Sequence, residues 1–166
     1  NVSAAPIAPA VGRSVGHIYH YQKRKDAWAL QVTSNVDAAG LEMEKEYDAH
    51  PEVPAMDKLL DFVGRTLRTS VEEPVLYKAF IQAMKYPEQG VLRHSDKRTY
   101  FRMLRKLVTA CVEEGSLPQG VDADQIVEYL VTIHRGVLLE WRIYEGDFAL
   151  EELGKNIVKA MLRGLR

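Results

Sequence analysis

The side chains whose chemistry is easiest to assign lie near the N-terminus, between Ser3 and Asp26. Tyrosines and basic residues cluster there, and tyrosine hydroxyl and lysine ammonium groups both donate hydrogen bonds to phosphate oxygens. Residues 1–31 carry four Lys and Arg against one Asp, a formal charge of +3, which leaves −4 for the rest because the total is −1. A basic N-terminal segment on an otherwise acidic chain indicates that this segment binds phosphates. Taken without any motif, the cluster of basic residues would be explained equally well by a solvated helix end.

A helix-turn-helix is predicted for this segment. A first helix over residues 4–10 is followed by Gly12, which suits a turn because glycine adopts positive φ without strain. Ser14 can cap a second short helix over 14–20. That helix is polar on one side and is able to enter the major groove of DNA by its N-terminus. A long helix over 24–49 is predicted to follow.

The rest of the chain shows helical spacing of apolar residues, and no segment alternates between apolar and polar residues as a strand does. Glycine and proline fall between the periodic stretches, so an all-α fold is predicted. The breaks come from helix-end signals: proline at a first turn, a left-handed glycine cap, and an Asp-x-x-Gln capping box. Two helices are predicted over 55–70 and 74–85, followed by a loop at 86–90. The next helix starts after this loop and ends at Glu114, before Gly115. One more helix runs from Asp122 to a break at Gly146-Asp147, and the last one carries Leu150 to Leu165.

The last two helices carry apolar faces that are wider than a chain of this size can easily bury by itself. A helix that is apolar nearly all round must be covered on most sides. The simplest cover is the same helix pair from a second chain, packed as a two-fold four-helix bundle; a core formed entirely within one chain is the alternative. The interface residues predicted for this homodimer are Ile126, Leu130, Ile133, Val137, Trp141, Leu153, Ile157 and Met161.

The middle helices place aromatic, apolar and a few polar residues at internal positions. This mixture is typical of a ligand cavity, which is mostly apolar with a few placed polar atoms. Each of these residues would equally serve to fill the core, and a lone histidine on an apolar helix is more often a hydrogen-bonded core residue. The candidate residues for binding a small apolar or aromatic ligand are Asn35, Met43, Tyr47, Phe62, Phe80, Met84, Tyr100, Met103, Leu107 and His134.

Several classes of protein are disfavoured by the sequence. The single cysteine, Cys111, cannot form an intrachain disulfide and lies in an apolar run, which fits a buried thiol in a reducing cytoplasm. No apolar run approaches the roughly 18 residues of a membrane span. Only His17 and His20 have the spacing of metal ligands, and DNA binding explains them better. No Ser/His/Asp spacing, phosphate-binding glycine loop or carboxylate pair in an apolar setting indicates an enzyme, so we expect neither catalysis nor a cofactor.

Two groups of residues, one at each end of the chain, resemble the TetR family of bacterial transcriptional regulators. The N-terminal group is Ile7, Ala8, Gly12, Ser14, Gly16, Ile18, Tyr19, Tyr21 and Lys25. The C-terminal group comprises residues 113–117, 122–124, 135–139 and 146–153. The resemblance spans nearly the whole chain, through these motifs at the two ends and through the helix pattern between them.

The resemblance implies a helical repressor that binds a palindromic operator in double-stranded DNA as a homodimer and is released by a small molecule in its C-terminal domain. It implies a helix-turn-helix DNA-binding domain over residues 1–31 and a ligand-binding and dimerisation domain over 32–166. By position, the residues that would contact base edges are Ser14, Val15 and His17. Those that would contact phosphates are Tyr19, Tyr21 and Lys25, and His20 could contact either.

Four features depart from the family pattern. Gln22 stands where the family usually has a Phe that plugs the small domain, Arg13 replaces an apolar turn residue, and Pro9 within the first helix costs on the order of 3 kcal/mol. The family also has a helix before Ser3. Either that helix precedes the present sequence or this protein has lost it; since Asn1 is not an initiating Met, we expect the first. Pro9 and Gln22 leave open a second hypothesis, a ligand- or protein-binding module of the same fold that no longer binds DNA.

Overall fold

A computed structural model describes residues 15–85 and 92–165, with side chains over 27–84 and 92–165. Within these residues the chain forms six helices and no β-strand, so the predicted all-α fold is confirmed. The helices are α1 (Val15–Ala49), α2 (Ala55–Val71), α3 (Pro74–Lys85), α4 (Thr99–Glu113), α5 (Ala123–Ile143) and α6 (Leu150–Arg163). Of these described helices, none combines the length and the apolar run that crossing a membrane requires.

Helix α1 is continuous over 35 residues and spans about 50 Å at 1.5 Å per residue. The prediction of separate helices over 14–20 and 24–49 was therefore wrong, because the backbone runs without a break between them. Residues 21–23 contain neither Gly nor Pro, so no local signal ends a helix there. The first predicted helix, over 4–10, and the turn at Gly12 lie outside the described residues.

From Ala29 onward, α1 buries a single face in the body of the fold. Its buried side chains recur at helical spacing and include Val32, Val36, Met43 and Tyr47. This face packs against α2, α3 and α4. More than half of α1 is therefore part of the core, while its first turns extend back into the basic segment.

The helix ends predicted from glycine and from the Asp122 cap are confirmed. Gly115 and Gly146, which follow α4 and α5, have φ values of 75° and 87°, a conformation that favours glycine. Asp122 Oδ1 accepts hydrogen bonds from the backbone N–H groups of Asp124 and Gln125 at 2.9 and 3.3 Å. These bonds satisfy two donors at the start of α5 that have no partner within the helix.

Helix α4 begins at Thr99, later than the predicted start directly after the loop at 86–90. Residues 92–98 form turns instead, in which the backbone N–H of Arg98 donates to the carbonyl of Ser95 at 2.9 Å. The start of α4 is capped from another helix, because Asp37 Oδ1 of α1 accepts the backbone N–H of Tyr100 at 2.9 Å. A cap from so distant a residue leaves no signal in the local sequence.

The C-terminal helices pack tightly against the rest of the chain. Helix α6 lies against α2, and α5 lies against α4 and α6. At Gly154 of α6, an added β-carbon would lie 2.2 Å from Leu67 Cδ1 of α2, so glycine permits the close approach of these two helices. Leu67 and Val158 beside this contact are fully buried, and Cys111 is buried as predicted.

Three residues predicted to contact a second chain are instead buried within this one. Ile126, Leu130 and Val137 are at most 3% exposed, so this part of the interface prediction was wrong: the chain's own helices cover that face of α5. Among the other predicted interface residues, the exposed ones are Leu153 and Ile157, and the half-buried ones are Ile133, Trp141 and Met161.

Candidate functional site

A small cavity lies between the inner faces of the first five helices. Its volume is about 40 Å³, which is room for roughly three water molecules, since one water needs about 10–15 Å³ of such space. Its walls are mostly apolar, with a few polar and charged groups from different helices. The lining residues are Val32, Thr33, Val36, Ser70, Phe80, Leu92, Arg98, Tyr100, Phe101, Val131, His134 and Arg135.

An ion pair joins the α1 wall of the cavity to the start of α4. Arg98 Nε donates to Asp37 Oδ2 at 2.9 Å, and Arg98 Nη2 donates to the carbonyl of Thr33 at 3.2 Å. The two charged side chains are only 20% and 24% exposed. Since Asp37 also caps α4 at Tyr100, a shift of α1 relative to α4 would disturb all three bonds.

A second set of ion pairs holds α1 against α4 two helical turns farther along. The two carboxylate oxygens of Glu44 accept from Nη1 and Nη2 of Arg102, each at 2.7 Å, and Lys106 Nζ lies 3.2 Å from Glu44 Oε1. The hydrogen bonds from Arg102, and then those from Lys106, hold the pKa of Glu44 at about 2. Bidentate arginine–carboxylate pairs of this kind fix orientation as well as distance.

His134 forms part of the cavity wall as an uncharged imidazole. It is 7% exposed, and its Nε2 lies 3.4 Å from Ser70 Oγ, which itself donates to the carbonyl of Thr66 at 2.8 Å. Because the serine proton is used in that bond, the imidazole is the donor to Ser70. Burial, together with the positive charges of Arg135 and Arg98, lowers the pKa of His134 to about 3.

Two further polar side chains, those of Arg135 and Tyr100, line the cavity. The guanidinium of Arg135 donates to the carbonyl of Leu92, and no carboxylate pairs with it in the described part of the chain. The side chain of Tyr100 is 7% exposed, and its hydroxyl has no hydrogen-bond partner among the described residues. Burial raises the pKa of Tyr100, so the hydroxyl keeps its proton. The cavity wall thus includes a guanidinium and a phenol hydroxyl beside its apolar side chains.

The structure brings three of the ten predicted ligand-binding residues to this cavity: Phe80, Tyr100 and His134. Two others, Asn35 and Met43, line an open groove between α1 and α2. The remaining five line neither space, and other side chains pack around them; they are Tyr47, Phe62, Met84, Met103 and Leu107. These five fill the core or pack against it, and their contact with a ligand stays a prediction.

The predicted DNA-binding residues lie at the beginning of α1 or before it. Ser14 is outside the described residues. The backbones of the other six belong to α1, and their side chains lie outside those described; they are Val15, His17, Tyr19, His20, Tyr21 and Lys25. Their contacts with DNA stay a prediction.

Exposed apolar side chains lie on both helices of the C-terminal pair. The α5–α6 face, as we call it, consists of Tyr129, Leu139 and Ile143 on α5 and Leu153 and Ile157 on α6, all 37–61% exposed. Gly136 lies on the same side of α5, since positions 129, 136 and 143 recur every seven residues. A β-carbon added to Gly136 would meet nothing within 4 Å, so this part of α5 is open to a partner.

Sequence reasoning missed the two charged residues that line the cavity, Arg98 and Arg135, and also Asp37, which pairs with Arg98. Charged side chains are mostly solvated in proteins, and nothing near Arg98 distinguishes it from a surface residue. Arg135 directly follows His134 on an apolar helix, and this position was the signal that could have drawn attention to it.

The structure and the comparisons with known proteins add no independent identification. The part of the chain that the structure describes contains no group of three or more His, Cys, Asp or Glu placed to hold a metal ion. No protein-family model matches the chain, and neither a curated protein nor a solved structure matches it. The functional interpretation therefore depends on the residues themselves.

Proposed function

We propose that this chain is a ligand-responsive transcriptional regulator of the TetR type, a repressor that binds operator DNA as a homodimer. The observation that carries the proposal is the course of α1. This one helix begins within the basic N-terminal segment, and its later turns supply Val32, Thr33 and Val36 to the cavity wall. About 25 Å of continuous helix separates Val15 from Val32, so a tilt of α1 at the cavity moves the predicted DNA-binding residues at the other end.

The contacts between α1 and α4 provide the means for a ligand to act. A molecule that enters the cavity pushes against Val32 and Val36 and displaces α1 from α4, against the bonds of Asp37 and Glu44. The ligand releases DNA only to the extent that it binds the displaced arrangement better than the DNA-bound one. The coupling free energy between two such sites is typically about 1–3 kcal/mol. A change in one or two of the hydrogen bonds between α1 and α4 alters the free energy by a similar amount.

The α5–α6 face supports the homodimer. Exposed apolar side chains on both α5 and α6 favour an interaction surface there, and two copies of this helix pair related by a two-fold axis would cover each other as a four-helix bundle. We expect Leu139→Glu or Ile143→Glu to convert the dimer to monomer in sedimentation equilibrium. Val75→Glu on α3, which is 58% exposed, is the matched control and should leave the dimer intact. A monomeric wild type would contradict this part of the proposal.

The two proposed domains are joined by a helix rather than by a flexible linker. The boundary between residues 1–31 and 32–166 falls inside α1, which crosses it without a break. This continuity suits the transmission of a movement from the cavity to the DNA-binding segment. As a regulator of transcription in a bacterium, the protein would act in the cytoplasm.

The same continuity favours a second candidate function. The family resemblance implies a short helix in the major groove that is separate from the long helix, whereas here the residues from Val15 to Lys25 are the first turns of α1 itself. Together with Pro9 and Gln22, this observation favours a binding module that kept the fold and its cavity but no longer binds DNA.

DNA binding by variants of α1 distinguishes the two candidates. The full-length protein would be titrated with a labelled duplex from upstream of its own gene, and fluorescence anisotropy would be followed. Replacing one group that contacts bases or phosphates should weaken binding by about 5- to 150-fold, so His17→Ala and Tyr19→Ala should both bind more weakly. Ser34→Ala, at an exposed position of α1 in the body, is the control. If both variants bind like wild type, the assignment of this segment is wrong; no binding by wild type at all supports the second candidate.

A further inference from the structure

One wall of the cavity is built from turns rather than from a helix. Among the described residues that line it, Leu92 and Arg98 alone lie outside the helices, in the turns over 92–98 that lead into α4. Each helical wall is held by its own regular backbone hydrogen bonds. A stretch of turns has fewer such bonds to lose and opens at a lower free energy. The 92–98 segment is therefore the wall that can be displaced without unfolding a helix.

Side chains fasten the 92–98 segment to α1 and α5. Within the described part of the chain, its backbone-to-backbone hydrogen bonds stay inside the segment or run into α4. The N–H of Arg98 donates to the carbonyl of Ser95 at 2.9 Å, and the carbonyl of Arg98 accepts the N–H of Arg102 at 3.2 Å. No bond of this type joins the segment to α1 or α5 among these residues. Moving the segment away from α1 and α5 thus breaks side-chain contacts only.

The firmest of these fastenings is the pair between Arg98 and Asp37 of α1. Arg98 Nε donates to Asp37 Oδ2 at 2.9 Å, and Arg98 Nη2 donates to the carbonyl of Thr33 at 3.2 Å. The two charged side chains are mostly shielded from water. Hydrogen bonds between charged groups are strong, and shielding from solvent reduces their screening by salt.

The other fastenings lie nearer to solvent. His94 Nδ1 lies 2.6 Å from Glu128 Oε1 of α5, and the His94 ring stacks on Phe101 of α4 with 4.4 Å between the ring centroids. Asp96 Oδ1 accepts from Arg105 Nη1 at 3.0 Å. The Glu128 and Asp96 side chains are 58% and 73% exposed, and solvated pairs of this kind contribute little. These contacts hold the segment less firmly than the pair with Asp37.

The size of the cavity requires that some wall moves before a ligand can act there. Its volume of about 40 Å³ has room for roughly three water molecules, whereas sites for organic ligands are much larger. The walls formed by α1 to α5 are parts of folded helices. Displacement of the 92–98 segment enlarges the space and leaves those helices intact.

We propose that the 92–98 segment is the lid of the cavity: when Arg98 separates from Asp37, the segment moves away from α1 and α5 and opens the cavity to solvent and to a ligand. The proposal rests on the proposed function only in treating this cavity as the regulatory site. It adds the part of the chain that opens and the contact that keeps it closed.

Chemical labelling of His134 in the full-length protein measures the opening of the lid. Diethyl pyrocarbonate acylates a neutral imidazole nitrogen, and His134 is neutral at pH 7 because its pKa is lowered to about 3. The side chain is only 7% exposed, so the labelling rate reports how often the cavity opens. Mass spectrometry of the digested protein locates the label, and the exposed His50 serves as the internal reference. We expect the rate at His134 to stay nearly constant at low urea, because a local opening exposes little surface.

Three variants separate the lid from the rest of the interface between α1 and α4. Arg98→Gln removes the charged fastening and should label His134 about tenfold faster or more. Glu128→Ala removes a solvated contact and should label it about two- to fivefold faster. Arg102→Gln is the matched control: it breaks the pair with Glu44 between the same two helices but outside the lid, and it should label His134 at the wild-type rate.

Two results would overturn the proposal. One is a wild-type labelling rate that rises with urea as steeply as global unfolding does, since His134 would then be reached only in the unfolded chain. The other is the same rate in Arg98→Gln and Arg102→Gln. Thermal melting shows whether each variant is folded; if Arg98→Gln is not, Glu128→Ala and the urea dependence of wild type decide.

These measurements use neither DNA nor a ligand, so they are independent of the proposed function. Local opening in a protein that does not bind DNA would keep the lid and overturn the regulator. DNA binding by a protein in which His134 is labelled only through global unfolding would overturn the lid alone.

Discussion

Protonation of His134 in mild acid should destabilise the folded chain. In the folded state its pKa is lowered to about 3, first by burial and then by the charges of Arg135 and Arg98, whereas in the unfolded chain it returns to about 6.5. Between these two values the unfolded chain binds a proton that the folded chain does not. Stability therefore rises with pH across this window and is lost as the pH falls below about 6.5.

The size of the effect follows from the two pKa values. Lowering the pH from 7 to 5 protonates most of the unfolded imidazole and almost none of the folded one, which costs about 2 kcal/mol of unfolding free energy. A domain of ordinary stability has only about 5–15 kcal/mol in total. With a urea m-value of about 2 kcal/mol/M, the unfolding midpoint moves by roughly 1 M.

Urea unfolding followed by circular dichroism at about pH 7 and pH 5 measures this shift. His134→Gln removes the titrating group. Between about pH 7 and pH 5 the urea midpoint of this variant should therefore fall less than that of wild type, by a difference of about 1 M. Ser70→Ala keeps the imidazole and only loses its neighbouring hydroxyl, so it should keep the full pH dependence although it is less stable at each pH. Equal pH dependence in wild type and His134→Gln would refute the reasoning, since the imidazole would then titrate alike in both states.

Two further predictions concern contacts within the fold and are measured by urea unfolding at neutral pH. Asp37→Ala leaves Arg98 without its carboxylate and the Tyr100 N–H without its cap, so we expect the free energy of unfolding to fall by about 2–4 kcal/mol. The control Glu42→Ala breaks only an exposed pair with Lys45 and should lower it by less than about 0.5 kcal/mol. Equal losses in the two variants would show that the Asp37 contacts contribute little. Gly154→Ala forces a β-carbon against the buried Leu67 and should cost about 1–2 kcal/mol, because overpacking exceeds the gain in helix propensity. A stabilising Gly154→Ala would mean that Leu67 moves aside freely.

The helical fold and most of its breaks follow from local signals. The Asp122 cap and the left-handed Gly115 act within a few residues, so short stretches of sequence contain the whole interaction. The start of α4 could not be predicted in this way, because Asp37, its capping residue, lies on another helix. The break expected between residues 20 and 24 had no local helix-ending residue behind it, since residues 21–23 contain neither Gly nor Pro.

The candidate site could be predicted only in its aromatic and imidazole part. Tyr100 and His134 stand out as polar groups at internal helical positions, whereas Arg98 and Arg135 resemble ordinary surface charges until the fold encloses them. The interface prediction failed for a related reason. The spacing of Ile126, Leu130 and Val137 identifies an apolar stripe, but spacing alone does not tell whether such a stripe faces the chain's own core or a partner.

The salt dependence of DNA binding tests the central claim most directly. The full-length protein would be titrated against the duplex from upstream of its own gene at several salt concentrations between about 50 and 200 mM, because phosphate contacts release counterions and weaken binding as salt increases. The regulator proposed here predicts tight binding that falls steeply with salt, with a slope reduced by about one in Lys25→Ala. Binding that is absent, or that does not change with salt and with Lys25→Ala, would contradict the assignment of the N-terminal segment to DNA.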